Sequence, residues 1–343
     1  MAYAAFLLIA VGRVGELVPG LGSLPLAKVA MGIGVILLIV KWKRLPKLSA
    51  STAPFSRTAL ALVAVAVVTA PFSIWPGMSV QFLTLQLPVM AAAVIMCCKI
   101  SYSWEVLRSI IRVLIVSAVA LALSAMKGFH GGRASGPVGY DPNDLAYVLV
   151  TTLPLALAFA LTAKTMARRM INVGVCAVLV IAVLLTSSRG GFFGLVAMLA
   201  VLVLTPIRRP RPQHQGGEST RNRIVLPALA VVGVSVLVWP HLPSETRIRL
   251  STVLALGSDY NMDTSDRDSR SAIWERNFAA ALRRPVGYGV SAFEMVDIRM
   301  GGKFRAAHNS FLQVLVELGF LGLLLLVRMY VLSWRALQRA RRS

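Results

Sequence analysis

Acidic side chains are scarce in this chain, with 14 Asp and Glu against 36 Lys and Arg among 343 residues and a formal net charge of +22. Cysteine is scarcer still: Cys97, Cys98 and Cys176 all lie inside apolar blocks. Adjacent cysteines are poor disulfide partners, and no Cys/His cluster has the spacing of a metal site, so the three read as packing residues. Histidine occurs four times. GxSxG, P-loop, HExxH and CxxC motifs are missing, which leaves serine hydrolases, nucleoside triphosphatases, zinc proteases and thiol redox enzymes without support. Charged residues make up 15% of the chain, and the mean hydropathy of +0.71 lies outside the range of a soluble globular domain.

What the chain has instead is long apolar runs. They match the roughly 20 residues that cross a bilayer as a helix. The period-two alternation of a barrel is not seen, so the expected class is all-α, a polytopic helical membrane protein forming one membrane domain over residues 1–343. About ten spans are expected, at 3–19, 23–40, 59–75, 80–98, 107–126, 143–163, 170–186, 190–206, 224–240 and 308–327. Arg13 and Glu16 interrupt the first, and no basic leader precedes it, so a cleaved signal peptide is not expected. No internal repeat of fixed period is evident.

Placement explains the charge better than nucleic acid does. Threading ten spans puts KWKRLPK, Arg168 with Arg169, the run at 207–223 and the basic tail 328–343 on one side. This is the positive-inside pattern, with both termini cytoplasmic and membrane lipids as the partner for the charge. The opposite face receives WPG at 75–77, the Gly-rich loop 127–143, the turn SSRGG at 187–191 and the long polar segment 241–307. ETRIRLSTVLAL and SRSAIWERNFAAALRR within that segment have amphipathic helical spacing, so 241–307 reads as a helical lid within the membrane domain.

The residues able to carry chemistry crowd this face, and each has a bland reading beside the functional one. Arg189 could be a snorkelling anchor, with Gly190 and Gly194 as a GxxxG packing face. It could equally bind a phosphate bidentately where glycines let the backbone come close. Arg133, among glycines, has the same ambiguity. His308 stands at the entry to the last span, where Asn309 or Ser310 would cap the helix; a partly shielded imidazole there could act as a general base. Arg270 opens a helix one turn ahead of Trp274. Asp266 and Asp268 form a DxD, but carboxylates are expected before a helix in any case, and no second acidic cluster completes a metal site. Glu317, inside the last span, should face the interior of the bundle, with a structural partner or a catalytic role.

Four stretches together resemble the family of O-antigen ligases and polymerases. They are GRASGPVGYDPNDLAYVLVTTLPLAL at 132–157, TSSRGGFFGL at 186–195, SRSAIWERNFAAALRRPVGYGV at 269–290 and AHNSFLQVLVELGFLGLL at 307–324. The resemblance implies a GT-C-like membrane glycosyltransferase of a bacterial inner membrane, its site facing the periplasm. The donor would be an undecaprenyl-diphosphate-linked glycan and the acceptor a glycan or lipid A core. Arg189 and Arg270 would bind the diphosphate and His308 would be the base, with no metal or other cofactor required. Arg133 is a further diphosphate candidate, and Asp141, Asn143, Trp274, Asn309 and Glu317 are supporting ones. Family members commonly carry a further span after the His-Asn helix, where this chain has a basic tail. Rival readings are a transporter or flippase of lipid-linked glycan, and a scaffold of an export complex. Transporters, however, place polar groups near mid-membrane in broken helices.

Overall fold

A computed structural model describes residues 2–13, 24, 26–44, 53–100, 103–137, 140–204, 231–251 and 269–342, and among these every regular element is helical. In chain order the helices are α1 Ala2–Ala10, α2 Leu26–Lys41, α3 Ala53–Thr69, α4 Pro76–Gln81, α5 Leu87–Ile100, α6 Trp104–Lys127, α7 Pro142–Leu161, α8 Met166–Leu185, α9 Arg189–Leu204, α10 Val231–His241, α11 Ser244–Ser251, α12 Arg270–Arg283, α13 Phe293–Arg299 and α14 Ser310–Arg342. A π-turn, Phe82–Gln86, joins α4 to α5 in one continuous run.

Among the described residues, six runs are long and apolar enough to cross a membrane: Ala53–Phe72, Pro76–Cys98, Trp104–Lys127, Pro142–Leu161, Met166–Leu185 and Ser310–Ala340. The protein is thus a polytopic helical membrane protein. The expected spans at 23–40 and 190–206 correspond to helices of 16 residues each. Parts of those at 3–19 and 224–240, the connector 207–223 and the pair Asp266 and Asp268 lie outside the described residues.

The chain divides into two compact units. The first comprises Met1–Ala30 with Trp104–Leu254. At its centre is α7, whose start is dictated locally. Pro142 occupies the first turn, where its missing N–H costs nothing, and the Asp141 carboxylate accepts from the backbone N–H groups of Asn143 and Asp144 at 2.6 and 2.8 Å. Leu145, Leu149, Leu153, Ala156 and Ala160 then bury one stripe, and Ala146, Thr152 and Leu157 widen it. With no hydrophobic drive between helices in lipid, close approach through small residues has to supply the packing. Gly191 of α9 lies so near α7 that a Cβ would overlap that of Ala146, and one at Gly194 would come within 3.1 Å of Val150. The packing glycines are therefore Gly191 and Gly194. Gly190, expected in that role, is exposed, because the residue preceding Gly191 is turned by about 100° around the helix.

The second unit comprises Met31–Ser103 with Ala255–Ser343. Its buried centre holds an ion pair. The carboxylate of Asp297, with no exposed surface, accepts from Arg276 at 3.1 to 3.3 Å and from the Asn277 side chain at 2.7 Å. Ile273, Ala280, Phe293, Val296 and Leu315 pack around it.

The last helical run is not one rod. Gly319 has φ 70° and ψ −169°, a conformation open essentially to glycine alone. Phe311 and Tyr330 lie on either side of it, and a straight helix would hold them about 28 Å apart. Their ring centroids are 5.5 Å apart. A Cβ on Gly322 would likewise lie 3.4 Å from Val314 Cγ1. The run therefore doubles back at Gly319, and the expectation of one straight span at 308–327 is corrected to two arms. The arm 310–318 is about 13 Å long, while the arm 320–342 is about 34 Å, and the second alone matches a hydrocarbon core of about 30 Å. The expected tail from 328 continues this second arm as helix to Arg342.

Backbone pairing holds the apex. The N–H of Phe320 donates to the Pro285 carbonyl at 3.0 Å, and those of Tyr288 and Gly289 donate to the carbonyls of Val316 and Glu317 at 2.9 Å. Gly287 and Gly319 make this approach possible, since a Cβ on either would overlap backbone of the other strand.

Candidate functional site

In the first unit, the tight α8–α9 turn gathers three of the sequence candidates. The Ser188 hydroxyl accepts from the Gly191 N–H at 3.1 Å, capping α9, and donates to Asn143 Oδ1 at 2.9 Å. The same oxygen accepts from Arg133 Nη2 at 2.9 Å, and Arg133 Nε donates to the Thr186 carbonyl at 3.1 Å. Ser187, at φ 50°, exchanges a hydrogen bond with Thr246 of α11 at 2.8 Å. Arg189 follows directly, half-buried, its Nε donating to the Arg249 carbonyl at 3.3 Å. Arg133 and Asn143, from the stretch 132–157, and Arg189, from 186–195, thus converge on one turn. Asp141 stands beside them as the cap of α7. A cluster of guanidinium groups at the N-terminal end of a helix favours an anionic ligand.

In the second unit, His308 is exposed but firmly posted. Its backbone sits in the left-handed region at φ 47°. On one side, Trp274 Nε1 donates to the Ala307 carbonyl at 2.8 Å. On the other, Asn309 Oδ1 caps α14 by accepting from the N–H groups of Phe311 and Leu312 at 3.1 and 3.2 Å. Non-glycine residues in this backbone region concentrate where function requires strain. Arg270, half-buried, opens α12 behind the Ser269 cap and shares a helix face with Trp274 one turn on. Beside Trp274 and Asn309 lies an open, mostly apolar cavity of about 420 Å³, lined also by Glu275, Phe278, Phe311, Leu315 and Leu323.

Glu317 lies on the short arm, buried, and its role among the described residues is to hold the apex. Oε2 accepts from the Ser291 N–H at 2.9 Å and Oε1 from Gln313 at 3.1 Å. Ser291 is another left-handed residue, at φ 58°. Among the described residues no three His, Cys, Asp or Glu side chains gather as metal ligands would.

Sequence reasoning missed Ser187, Ser188, Thr246 and Arg249 in the first unit, and Ser291, Gln313, Arg276 and Asp297 in the second. The hydroxyl-rich TSS before Arg189 was a usable signal, since serine is a favoured helix cap. The partnership of Arg276 with Asp297 left none, because its members sit on different helices.

With the geometry in hand, comparison with known families adds one finding. A family model described as O-Antigen ligase matches residues 174–327. The matched stretch takes in Arg189, Arg270, Trp274, His308, Asn309 and Glu317, and stops short of Arg133, Asp141 and Asn143. This match supports the O-antigen ligase family for the chain, and with it a glycan-transfer role in a membrane, of glycosyltransferase type. No curated protein and no solved structure matches the chain.

Proposed function

We propose, on the premise of that family, that the protein transfers a glycan from a polyprenyl diphosphate to an acceptor hydroxyl in O-antigen or exopolysaccharide assembly. The carrying observation is the posting of His308, an exposed imidazole fixed between the Trp274-bound carbonyl of Ala307 and the Asn309 cap. An exposed side chain on a fixed backbone is what a general base needs, because the substrate must reach it while its position is already set.

The acceptor hydroxyl oxygen forms a bond to the anomeric carbon as the bond from that carbon to the diphosphate oxygen breaks. The proton passes to a ring nitrogen of His308, and the diphosphate leaves with the bonding pair. One displacement of this kind inverts the anomeric centre. Arg189, Arg270 and Arg133 stabilise the departing charge, a role that guanidinium groups can fill without a metal. Trp274 and Asn309 hold the base in place, and Asp141 and Asn143 shape the arginine-bearing turn. The apolar cavity beside Trp274 suits the hydrocarbon of a lipid-linked donor. The acceptor is a further glycan repeat or lipid A core.

The protein works as a multi-pass protein of the bacterial inner membrane, with the reacting groups at the periplasmic face and the segment 241–307 acting as a lid. Residues 1–343 act as one membrane domain.

The test is transfer in proteoliposomes supplied with an undecaprenyl-diphosphate-linked glycan and its acceptor, with no ion gradient. His308→Ala and Arg189→Ala are each expected to lower the rate about a hundredfold to a thousandfold while the protein still folds and inserts. Near-normal transfer by either variant overturns that residue's role, and failure of the wild type to turn over the donor returns the transporter reading.

A further inference from the structure

A second cavity lies in the first unit, far from the arginine-bearing turn. It occupies about 340 Å³ and is lined by Leu157, Ala160 and Leu161 of α7, Val173, Cys176 and Val180 of α8 and Val231 and Val234 of α10, with Arg169 at its rim. Because α7 begins and α8 ends at that turn, the cavity sits near their opposite ends. Along α8, Arg169 and Thr186 are separated by about 25 Å.

Among the described residues the lining, which also includes Met166 and Ala177, is apolar apart from the Cys176 thiol and the Arg169 guanidinium. Water gains little in such a space, and in a membrane the molecules available to fill it are lipids. The charge around it is one-sided. Lys164 and Arg168 are exposed beside Arg169, Arg108 stacks on Trp104, and Arg112 lies over Phe159 of α7 at 5.8 Å. The carboxylate of this end among the described residues is Glu105, exposed in the first turn of α6.

We propose that this is a binding site for an anionic glycerophospholipid, one acyl chain in the cavity and the phosphate on Arg169. The guanidinium supplies a planar pair of donors for phosphate oxygens, and the surrounding cations select a head group with net negative charge over a zwitterionic one. The site is independent of the transfer chemistry and needs none of its residues.

The experiment is native mass spectrometry of the whole protein released from vesicles of equal phosphatidylglycerol and phosphatidylcholine. One phosphatidylglycerol is expected to be retained at least about fivefold over phosphatidylcholine. Arg169→Gln is expected to remove that preference, and substituting the lining residue Ala177 by Phe (Ala177→Phe), which narrows the cavity, to lower retention of both lipids. Because Ala177→Phe tests the cavity by bulk, a second readout leaves the cavity lining unaltered. Phosphatidylglycerol should slow labelling of Cys176 by an apolar maleimide, with Cys97 and Cys98 replaced by Ala. Equal retention of the two lipids by the wild type, an unchanged preference in Arg169→Gln, or labelling of Cys176 that ignores phosphatidylglycerol each overturns the proposal.

Discussion

The two candidate regions are built by opposite means. Around the α8–α9 turn of the first unit, side chains do the joining: Arg133, Asn143, Ser187, Ser188 and Thr246 tie three stretches of chain through hydroxyl, amide and guanidinium groups. Around the apex of the second unit, backbone joins backbone, with glycines admitting the contact and the Glu317 carboxylate adding its bonds to Ser291 and Gln313. The first arrangement commits its cations to structure as well as to any ligand. The second fixes the backbone of His308 from behind, through the Trp274 bond and the Asn309 cap. A site assembled from side chains can be eroded bond by bond, whereas one assembled from backbone tolerates change or fails at a stroke.

That contrast can be broken experimentally, beginning with its most severe prediction. Gly319→Ala places a Cβ against the Pro285 carbonyl in a glycine-only conformation and should cost about 3 to 6 kcal/mol. The expected readout is loss of folded protein in detergent by size exclusion, and a well-folded, active variant would sink the double-back. Arg270→Lys keeps the charge but loses the planar pair of donors. Transfer should fall by about a hundredfold with thermal stability unchanged, and a rate near wild type would argue against bidentate binding. In the first unit, Asn143→Ala strips the acceptor shared by Arg133 and Ser188 and should lower stability by about 1 to 3 kcal/mol, seen as an earlier thermal transition. Ser188→Ala removes one cap and one bond and should cost about 1 kcal/mol, the mildest of the series. If the erosion in the first unit proved all-or-none as well, the distinction between the two regions would fall.

The long apolar helices were legible because a run of some 20 hydrocarbon side chains has one inexpensive solution in a bilayer. The turn before Arg189 was legible too, since two apolar blocks abut there with no room for a loop. The double-back at Gly319 was not. Leu318, Gly319 and Phe320 continue the apolar run without interruption, and a glycine inside a membrane helix ordinarily signals packing. What identifies this one is Pro285 and Gly287 reaching it from another part of the chain, a partnership that periodicity along one helix cannot express. The same reason hid Arg276 and Asp297. His308 was singled out by its position ahead of a span, yet its left-handed backbone has no signature in residue type. Of the two small-residue contacts in α9, Gly194 was read correctly, and Gly191 was passed over because either of two adjacent glycines satisfies the spacing rule loosely.

The short arm between Asn309 and Gly319 has a further consequence, as a ruler. Its foot is tied at the apex by Pro285 and Glu317, and its free end carries the imidazole, alongside the level of Tyr330 on the returning arm. The distance of His308 from the point where the returning helix begins therefore scales with the count of residues between them. Adding or removing one helical turn would slide the base by about 5 Å along the partner arm with every functional side chain intact. Evolution could retune the depth at which the acceptor is engaged, and with it the size of glycan that fits above the base, by changing length alone.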